Sequence, residues 1–228
     1  MKYPVDFINK IINGDYLEVM KQMPDKCVDL VLTDPPYGMS YQSAWRTATP
    51  KFSKIEKDDD VSWFPEFIAE AYRVLKDDSH IYIFCNDYAI SEFRKAMGEV
   101  GFTPKRTLVW VKNNHTSGDL EGDYGNKTEF ILYAQKGRKE LTGKRETNVL
   151  NFDRVADLKH PTEKPVDICQ FLIQKSSNVG DIVLDPFIGS GTTARAAADL
   201  HRNYIGIEID PEYCKIAELR LKQQVLQI

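Results

Sequence analysis

The sequence is poor in the residues and patterns that mark specialised proteins, and each shortage removes a class. Four cysteines, Cys27, Cys85, Cys169 and Cys214, are scattered without a C-x-x-C pair. That spacing disfavours a disulfide framework and a cysteine-ligated zinc site and leaves reduced, mostly buried thiols. The four histidines, His80, His115, His160 and His201, are isolated, so no metal is implied. No run approaches the roughly 18 consecutive apolar residues of a membrane span. The start, MKYPVDFINKI, lacks the apolar stretch and small-residue cleavage site of a secretory signal. The expectation is a cytoplasmic protein without membrane contact. No internal repeat and no low-complexity tract is present. Positive charge is also short: 30 Lys and Arg against 34 Asp and Glu give a net charge of -4, which argues against coating nucleic acid through bulk electrostatics.

What remains is ordinary globular composition, 42% hydrophobic and 28% charged, in 228 residues. That is enough for one sizeable α/β domain spanning the chain. Strand-like runs VDLVLT (28–33), HIYIFC (80–85), RTLVWV (106–111), EFILYA (129–134), DIVLD (181–185) and YIGIEI (204–209) alternate with stretches at 63–75, 89–100, 166–177, 192–201 and 211–224. The latter place apolar residues three and four apart, the helical period. Such alternation predicts a mostly parallel sheet covered by helices. Asp210 followed by Pro211 predicts a helix entry. Two stretches break the pattern: a polar one at 40–60 and a basic, irregular one at about 136–159. Long loops inside compact domains tend to bind or cover ligands. Within the second, KGRKELTGKR sets Lys136, Arg138, Lys139, Lys144 and Arg145 against Glu140 alone. It reads either as the best field for a polyanion or as a solvated hairpin.

Two constellations carry chemistry. DIVLD runs into PFIGSGTTARAAADL, which puts Gly189 and Gly191 in a turn opening a helix, where backbone N–H groups can approach a ligand closely. Glu208 stands at the end of the next strand, close to the roughly twenty-residue spacing at which an acidic side chain accepts from a ribose. A tight turn alone would also need glycine, but Glu208 in register points to a nucleoside site. No Gly-Lys-Ser/Thr follows, so a P-loop is excluded. The second constellation, Thr33-Asp34-Pro35-Pro36-Tyr37, also ends a buried strand. Its prolines lack N–H groups and leave carbonyls free to accept, Asp34 adds a carboxylate and Tyr37 a flat ring. Such a pocket suits an exocyclic amino group on a planar base; the alternative is a stiff turn with a packing tyrosine.

With DPPY near the amino end, HPTEKP in the middle and DPFIGSGTT followed by Glu208 near the carboxyl end, the chain resembles the β group of amino-methylating DNA methyltransferases over essentially its whole length. The resemblance implies a Rossmann-like methyltransferase domain with a seven-stranded sheet whose last hairpin adds one antiparallel strand. It also implies S-adenosylmethionine as cofactor and double-stranded DNA as partner. Asp34, Pro35, Pro36 and Tyr37 become the catalytic motif, which aims the amino group of a flipped-out base at the sulfonium methyl. Asp185, Phe187, Gly189, Gly191 and Thr192 take the cofactor, with Glu208 on its ribose and His160, Thr162 and Lys164 near its methionyl end. Asp15 falls near its adenine, although Gly14-Asp15 also reads as a turn or helix cap. No cysteine nucleophile is needed, Cys85 reads as core, and the lack of a Pro-Cys motif argues against methylation of a cytosine ring carbon. The 40–60 loop and the 136–159 segment are expected to flank the pocket and hold DNA through Arg46, Lys51, Lys139, Lys144 and Arg145. So short an insert implies a short recognition site or help from a homodimer, and a restriction endonuclease is a further partner of such enzymes. Asp34, where serine is usual for cytosine, favours adenine N6 over cytosine N4. A catalytically silent subunit is the alternative from another class; intact Asp34 and the intact glycine turn speak against it.

Overall fold

The structure, a computed structural model, describes residues 1–36, 62–115, 121–122, 124–154 and 164–222. Tyr37, the 40–60 loop with Arg46 and Lys51, and His160 and Thr162 lie outside the described residues. The chain runs β1 (Lys10–Asn13), α1 (Tyr16–Met20), β2 (Val28–Thr33), α2 (Phe64–Val74), β3 (Leu75–Cys85), α3 (Ile90–Glu99), β4 (Thr103–Pro104), β5 (Leu108–Val111), β6 (Thr128–Lys136), β7 (Val149–Asn151), α4 (Val166–Ser176), β8 (Ile182–Asp185), α5 (Thr192–Asp199), β9 (Asn203–Glu208) and α6 (Pro211–Lys222). One sheet holds all these strands in the order β1-β9-β8-β2-β3-β6-β5-β7, with β4 paired to β6. Aliphatic β2 sits near its centre because Leu30, Val31 and Leu32 leave no face for water. Phe64, Phe67 and Ile68 of α2 and Phe93 and Met97 of α3 cover one face, joined by a Phe64–Phe93 stack of 3.6 Å. Ile168, Cys169 and Leu172 of α4 pack on the other with Ala196 and Ala197 of α5. Asp210 caps α6, accepting from the Glu212 N–H at 2.8 Å. All four cysteines are free and buried. Among the described residues no helix is long and apolar enough to cross a membrane.

Three features depart from expectation. Among the described residues nine strands stand in the sheet where the resemblance implies seven, and β1, β4 and β7, at 4, 2 and 3 residues, are too short to stand out as apolar runs. The 136–159 segment is not irregular throughout: Leu150 is buried, and β7 pairs in parallel with β5. Most consequential is β6, which runs antiparallel to β3, β4 and β5. It opposes Phe130 to Cys85 and Lys136 to Ser79, so the chain leaves it at the amino edge of the central strands. There the basic tract is held down. Lys175, near the end of α4, donates to the Thr142 and Lys144 carbonyls at 3.2 and 2.9 Å.

A buried polar network ties that tract to the core. His80 Nδ1 lies 2.7 Å from the Ser176 hydroxyl and Nε2 3.1 Å from the Lys139 carbonyl, while Tyr82 also bonds Ser176 at 2.7 Å. Burial drives the His80 pKa down to about 4. The folded state therefore keeps the ring neutral, and its contribution is whole above the ordinary value of about 6.5 and lost as pH falls below it, by up to about 1.4 kcal/mol per pH unit. Denaturant unfolding should show the stability advantage of the parent over His80→Gln shrinking between about pH 7 and pH 5. A gap constant over that range would overturn the assignment.

Candidate active site

β2 and β8 lie side by side and parallel, with Leu30 and Val31 opposite Val183 and Leu184. From β2 the chain crosses by α2 to β3 on one side; from β8 it crosses by α5 to β9 on the other. Such a switch point opens a crevice at the carboxyl ends of the two strands, where α/β sheets bind ligands. The Thr33 hydroxyl donates to Asp185 Oδ1 at 2.7 Å across it. The Phe187 N–H donates to the same oxygen at 3.1 Å. Burial pushes Asp185 up to about 6 against these bonds; its carboxylate braces the turn from inside.

On the β2 side, Asp34 Oδ2 accepts from Lys164 Nζ at 2.6 Å. That ammonium also lies 3.2 Å from Glu129 Oε2, and Glu129 Oε1 lies 2.7 Å from Lys112 Nζ. Both lysines are only 7% exposed. Asp34 Oδ1, the other carboxylate oxygen, is buried and has no hydrogen-bond partner among the described residues. Pro35 is buried and Pro36 partly so. Burial pushes Asp34 up to about 7; Lys164 opposes that rise and Glu129 adds to it. Burial also opposes the charge on Lys164, yet Asp34 and Glu129 hold it above the ordinary lysine value. Glu129 stays below its own ordinary value because Lys164 and Lys112 outweigh its burial.

On the β8 side, Gly189 and Gly191 take φ of 51° and 87°, a region that favours glycine. A Cβ on Gly191 would stand 2.8 Å from the Ala217 Cβ of α6, so packing demands glycine there as well. Glu208 accepts from the Gly189 and Asp210 N–H groups, both at 2.9 Å. Burial raises its pKa, and each oxygen keeps a further lone pair for a hydroxyl. Thr192 opens α5, its hydroxyl accepting from Arg220 at 2.9 Å. Phe187 packs against Tyr16 at 4.7 Å and Trp63 at 5.4 Å between ring centroids. Asp15 caps α1, accepting from the Leu17 and Glu18 N–H groups at 2.9 and 3.3 Å. It follows β1, whose Asn13 is in register with Glu208.

The fold thus brings Asp34, Asp185, Gly189, Gly191 and Glu208 to one sheet edge. The ammonium of Lys164 sits between Asp34 and Glu129, since a buried cation settles where its counter-charges are. One placement differs from the sequence expectation. Lys139, Lys144 and Arg145 do not flank the pocket. Antiparallel β6 delivers them to the opposite edge, beside the far end of α4, whose 11 residues span about 16 Å. Glu129 and Lys112 escaped sequence reading. Their only signal is a charge at the start of an apolar strand and another just past the end of its neighbour.

Residues 28–158 and 141–219 match the family described as DNA methylase. The chain is 33% identical over 251 residues to the DNA adenine methyltransferase YhdJ of Escherichia coli (strain K12), an alignment covering 92% of this chain and 82% of YhdJ. A solved M1.HpyAVI complex with S-adenosylmethionine superposes with a TM-score of 0.73 at 31% identity, over 93% of this chain and 99% of that one. The cytosine-N4-specific PvuII DNA methyltransferase reaches a TM-score of 0.78 at 18% identity, over 98% of this chain and 91% of its own, a likeness of fold. Because the matched span takes in both the Asp34 crevice and the glycine turn, and a third of the residues are shared with YhdJ along nearly the whole chain, this protein belongs to the N6/N4 family of DNA methylases.

Proposed function

We propose that this DNA methylase methylates the N6 amino group of adenine in double-stranded DNA, with S-adenosylmethionine as the methyl donor. Asp34 Oδ1 carries the proposal: it is a buried acceptor without a partner among the described residues, set at the switch point beside two prolines that offer carbonyls and no N–H. An aromatic amino group brings two N–H donors to such a place and satisfies it. S-adenosylmethionine, when bound, supplies an electrophilic sulfonium methyl. Gly189, Gly191, Phe187 and Glu208 suit that cofactor, because a left-handed turn and a carboxylate with spare lone pairs end adjacent strands.

The amino group of adenine is a poor nucleophile because its lone pair is delocalised into the ring. Hydrogen bonds from it to Asp34 Oδ1 and to a carbonyl of the proline pair localise that lone pair and fix its direction. Tyr37 is the stacking group of this proposal. The amino group sits inside the duplex stack, so the nucleotide is flipped out before it reaches Asp34. The duplex then lies across the carboxyl edge. Exposed Lys127 stands there, its carbonyl accepting from the Lys112 N–H at 2.9 Å. Arg154 joins it, its backbone held by Asn113 at 3.2 Å.

Expression in a host without DNA methylation, followed by modification-sensitive single-molecule sequencing, should return N6-methyladenine at one short site. N4-methylcytosine would replace the base in this proposal, and unmodified DNA would overturn it. In the purified protein, Asp34→Ala should slow methyl transfer by about 100-fold or more while cofactor affinity stays within a few-fold, since losing one such acceptor costs about 2.7 to 4 kcal/mol in the transition state. Glu208→Ala should do the reverse and weaken cofactor binding by more than about tenfold in calorimetry. Identical effects of the two would dissolve the division into a target half and a cofactor half. For DNA, replacing Lys127 and Arg154 by Gln should lower affinity and flatten its salt dependence by about 0.9 logarithmic unit per lost phosphate contact. Replacing Lys139, Lys144 and Arg145 should leave the slope as it is; the opposite pattern would put the duplex on the other edge.

A further inference from the structure

Four charged side chains, carried on or next to four different elements, meet at the carboxyl end of β2. Asp34 follows β2, Lys164 precedes α4, Glu129 lies on β6 and Lys112 follows β5. The contacts run in series: Lys112 to Glu129 at 2.7 Å, Glu129 to Lys164 at 3.2 Å, Lys164 to Asp34 at 2.6 Å. Two cations and two anions make the set neutral. Each Glu129 oxygen faces a different ammonium, so this carboxylate sets where Lys164 can stand. Lys164 in turn holds one Asp34 oxygen, and the other has no partner among the described residues.

We propose that Lys164, Glu129 and Lys112 are positioning residues, an ionic relay that clamps Asp34 through Oδ2 so that Oδ1 is presented to the target amino group as a fixed acceptor. The proposal rests on the reading of Asp34 as the acceptor for that group. A stabilising role alone is a poor explanation for the set, because buried ion pairs are often no better for stability than apolar side chains of similar volume. What the relay supplies is direction. One carboxylate oxygen is spent on Lys164, which removes the freedom of Asp34 to rotate or to turn its free oxygen toward another donor.

Charge follows from the same geometry. Among the described residues the titratable and charged groups facing Asp34 are Lys164 ahead of α4, Glu129 on β6, Asp185 at the end of β8, Cys85 on β3 and Cys169 on α4. Burial pushes both thiols up to about 12, so they remain neutral. Burial also lifts Asp34 to about 7, which puts loss of the acceptor near neutrality: as pH falls through that value the carboxyl takes a proton and methyl transfer declines. Lys164 pulls this limb down, whereas Glu129 and Asp185 push it up. Removing Lys164 must therefore move the acidic limb to higher pH, and removing the charge of Glu129 must move it to lower pH. Two changes that both damage the relay thus shift the profile in opposite directions, which a general loosening of the fold does not do.

The test compares the parent with Lys164→Met, Lys164→Arg and Glu129→Gln in single-turnover methyl transfer to a duplex carrying the site, across pH, with cofactor affinity measured alongside. Lys164→Met should lose on the order of 100-fold in rate near neutrality, keep cofactor affinity within about threefold, and show its acidic limb raised by about one pH unit or more. Lys164→Arg should recover most of the rate, and Glu129→Gln should lower the limb. In parallel, carboxyl-labelled aspartate followed by NMR, with Asp34→Asn to assign the signal, reads the Asp34 titration without substrate. That second measurement separates the two ideas: a parent protein inactive on every DNA would sink the function, while the Asp34 titration would still judge the relay. Shifts of the same sign in both variants, no shift in either, or a tenfold loss of cofactor affinity in Lys164→Met with an unmoved limb would overturn the relay and return Lys164 to the cofactor.

Discussion

The hydrogen bond from Thr33 to Asp185, 2.7 Å long, bridges the place in the sheet where the chain must open. β2 and β8 are parallel neighbours whose onward connections leave toward opposite edges. No crossover can cover both of their carboxyl ends, so a crevice there is a consequence of connectivity rather than of side-chain choice. Chemistry is confined to what those two ends carry. β2 delivers Asp34 and the prolines; β8 delivers Asp185 and the glycine turn; the Thr33–Asp185 bond keeps the two sets in fixed relation. β9 and β1, outside β8, then bring Glu208 alongside with Asn13 in register, two residues before Asp15.

Placing carboxylates at such an edge has an energetic cost that the surroundings must offset. A carboxylate left unpaired in the interior would take a proton. Asp34 and Asp185 are both pushed in that direction by burial, and each is answered differently. Asp185 is answered by neutral donors, the Thr33 hydroxyl and the Phe187 N–H. Asp34 is answered by a cation that is itself buried and needs Glu129, which needs Lys112. The chain of counter-charges ends close to the surface, next to exposed Lys127. Even so, Asp34 Oδ1 finds no partner among the described residues, a defect of about 1 to 3 kcal/mol by the usual cost of a buried unpaired acceptor. Folding alone does not require it, and that is why it points to a ligand.

Local signals were the legible ones. Asp34-Pro35-Pro36 and the Gly189 to Glu208 spacing can be read from sequence because each motif lies within one strand-to-turn step and the parallel βαβ geometry fixes where its end must point. The core strands and covering helices were legible for the same reason: hydrophobic period is local. The partners of Asp34 were not. Glu129 stands 95 residues and Lys164 130 residues away along the chain, and their meeting depends on β6 running antiparallel with Phe130 opposite Cys85. No periodicity in TEFILYAQK tells its direction. The same reversal explains why the basic tract, adjacent in sequence to a strand of the site, emerges at the other edge. Lys164 shows the difference most plainly: HPTEKP is recognisable as a motif, but which carboxylate its lysine meets depends on Glu129, a residue outside any motif.

Gly191 shows how one residue can serve both fold and site. Its φ of 87° shapes the turn that opens α5, and the missing Cβ lets Ala217 of α6 approach to within 2.8 Å of where that carbon would have been. The turn is therefore set by helix packing before any ligand arrives. Phe187, between these glycines and Asp185, is held by Tyr16 from α1 and by Trp63 at the head of α2. α2 belongs to the crossover that starts from β2, so this aromatic cluster ties the glycine-turn side of the crevice to the Asp34 side through the hydrophobic core. A shift of the glycine turn would have to drag the α2 entry with it. Acceptor and turn are thus coupled both at the strand ends, by Thr33 and Asp185, and one layer away, by stacked rings. Rigid placement of that kind is what in-line transfer between two bound groups requires, since misplacement by about 1 Å can cost a hundredfold in rate.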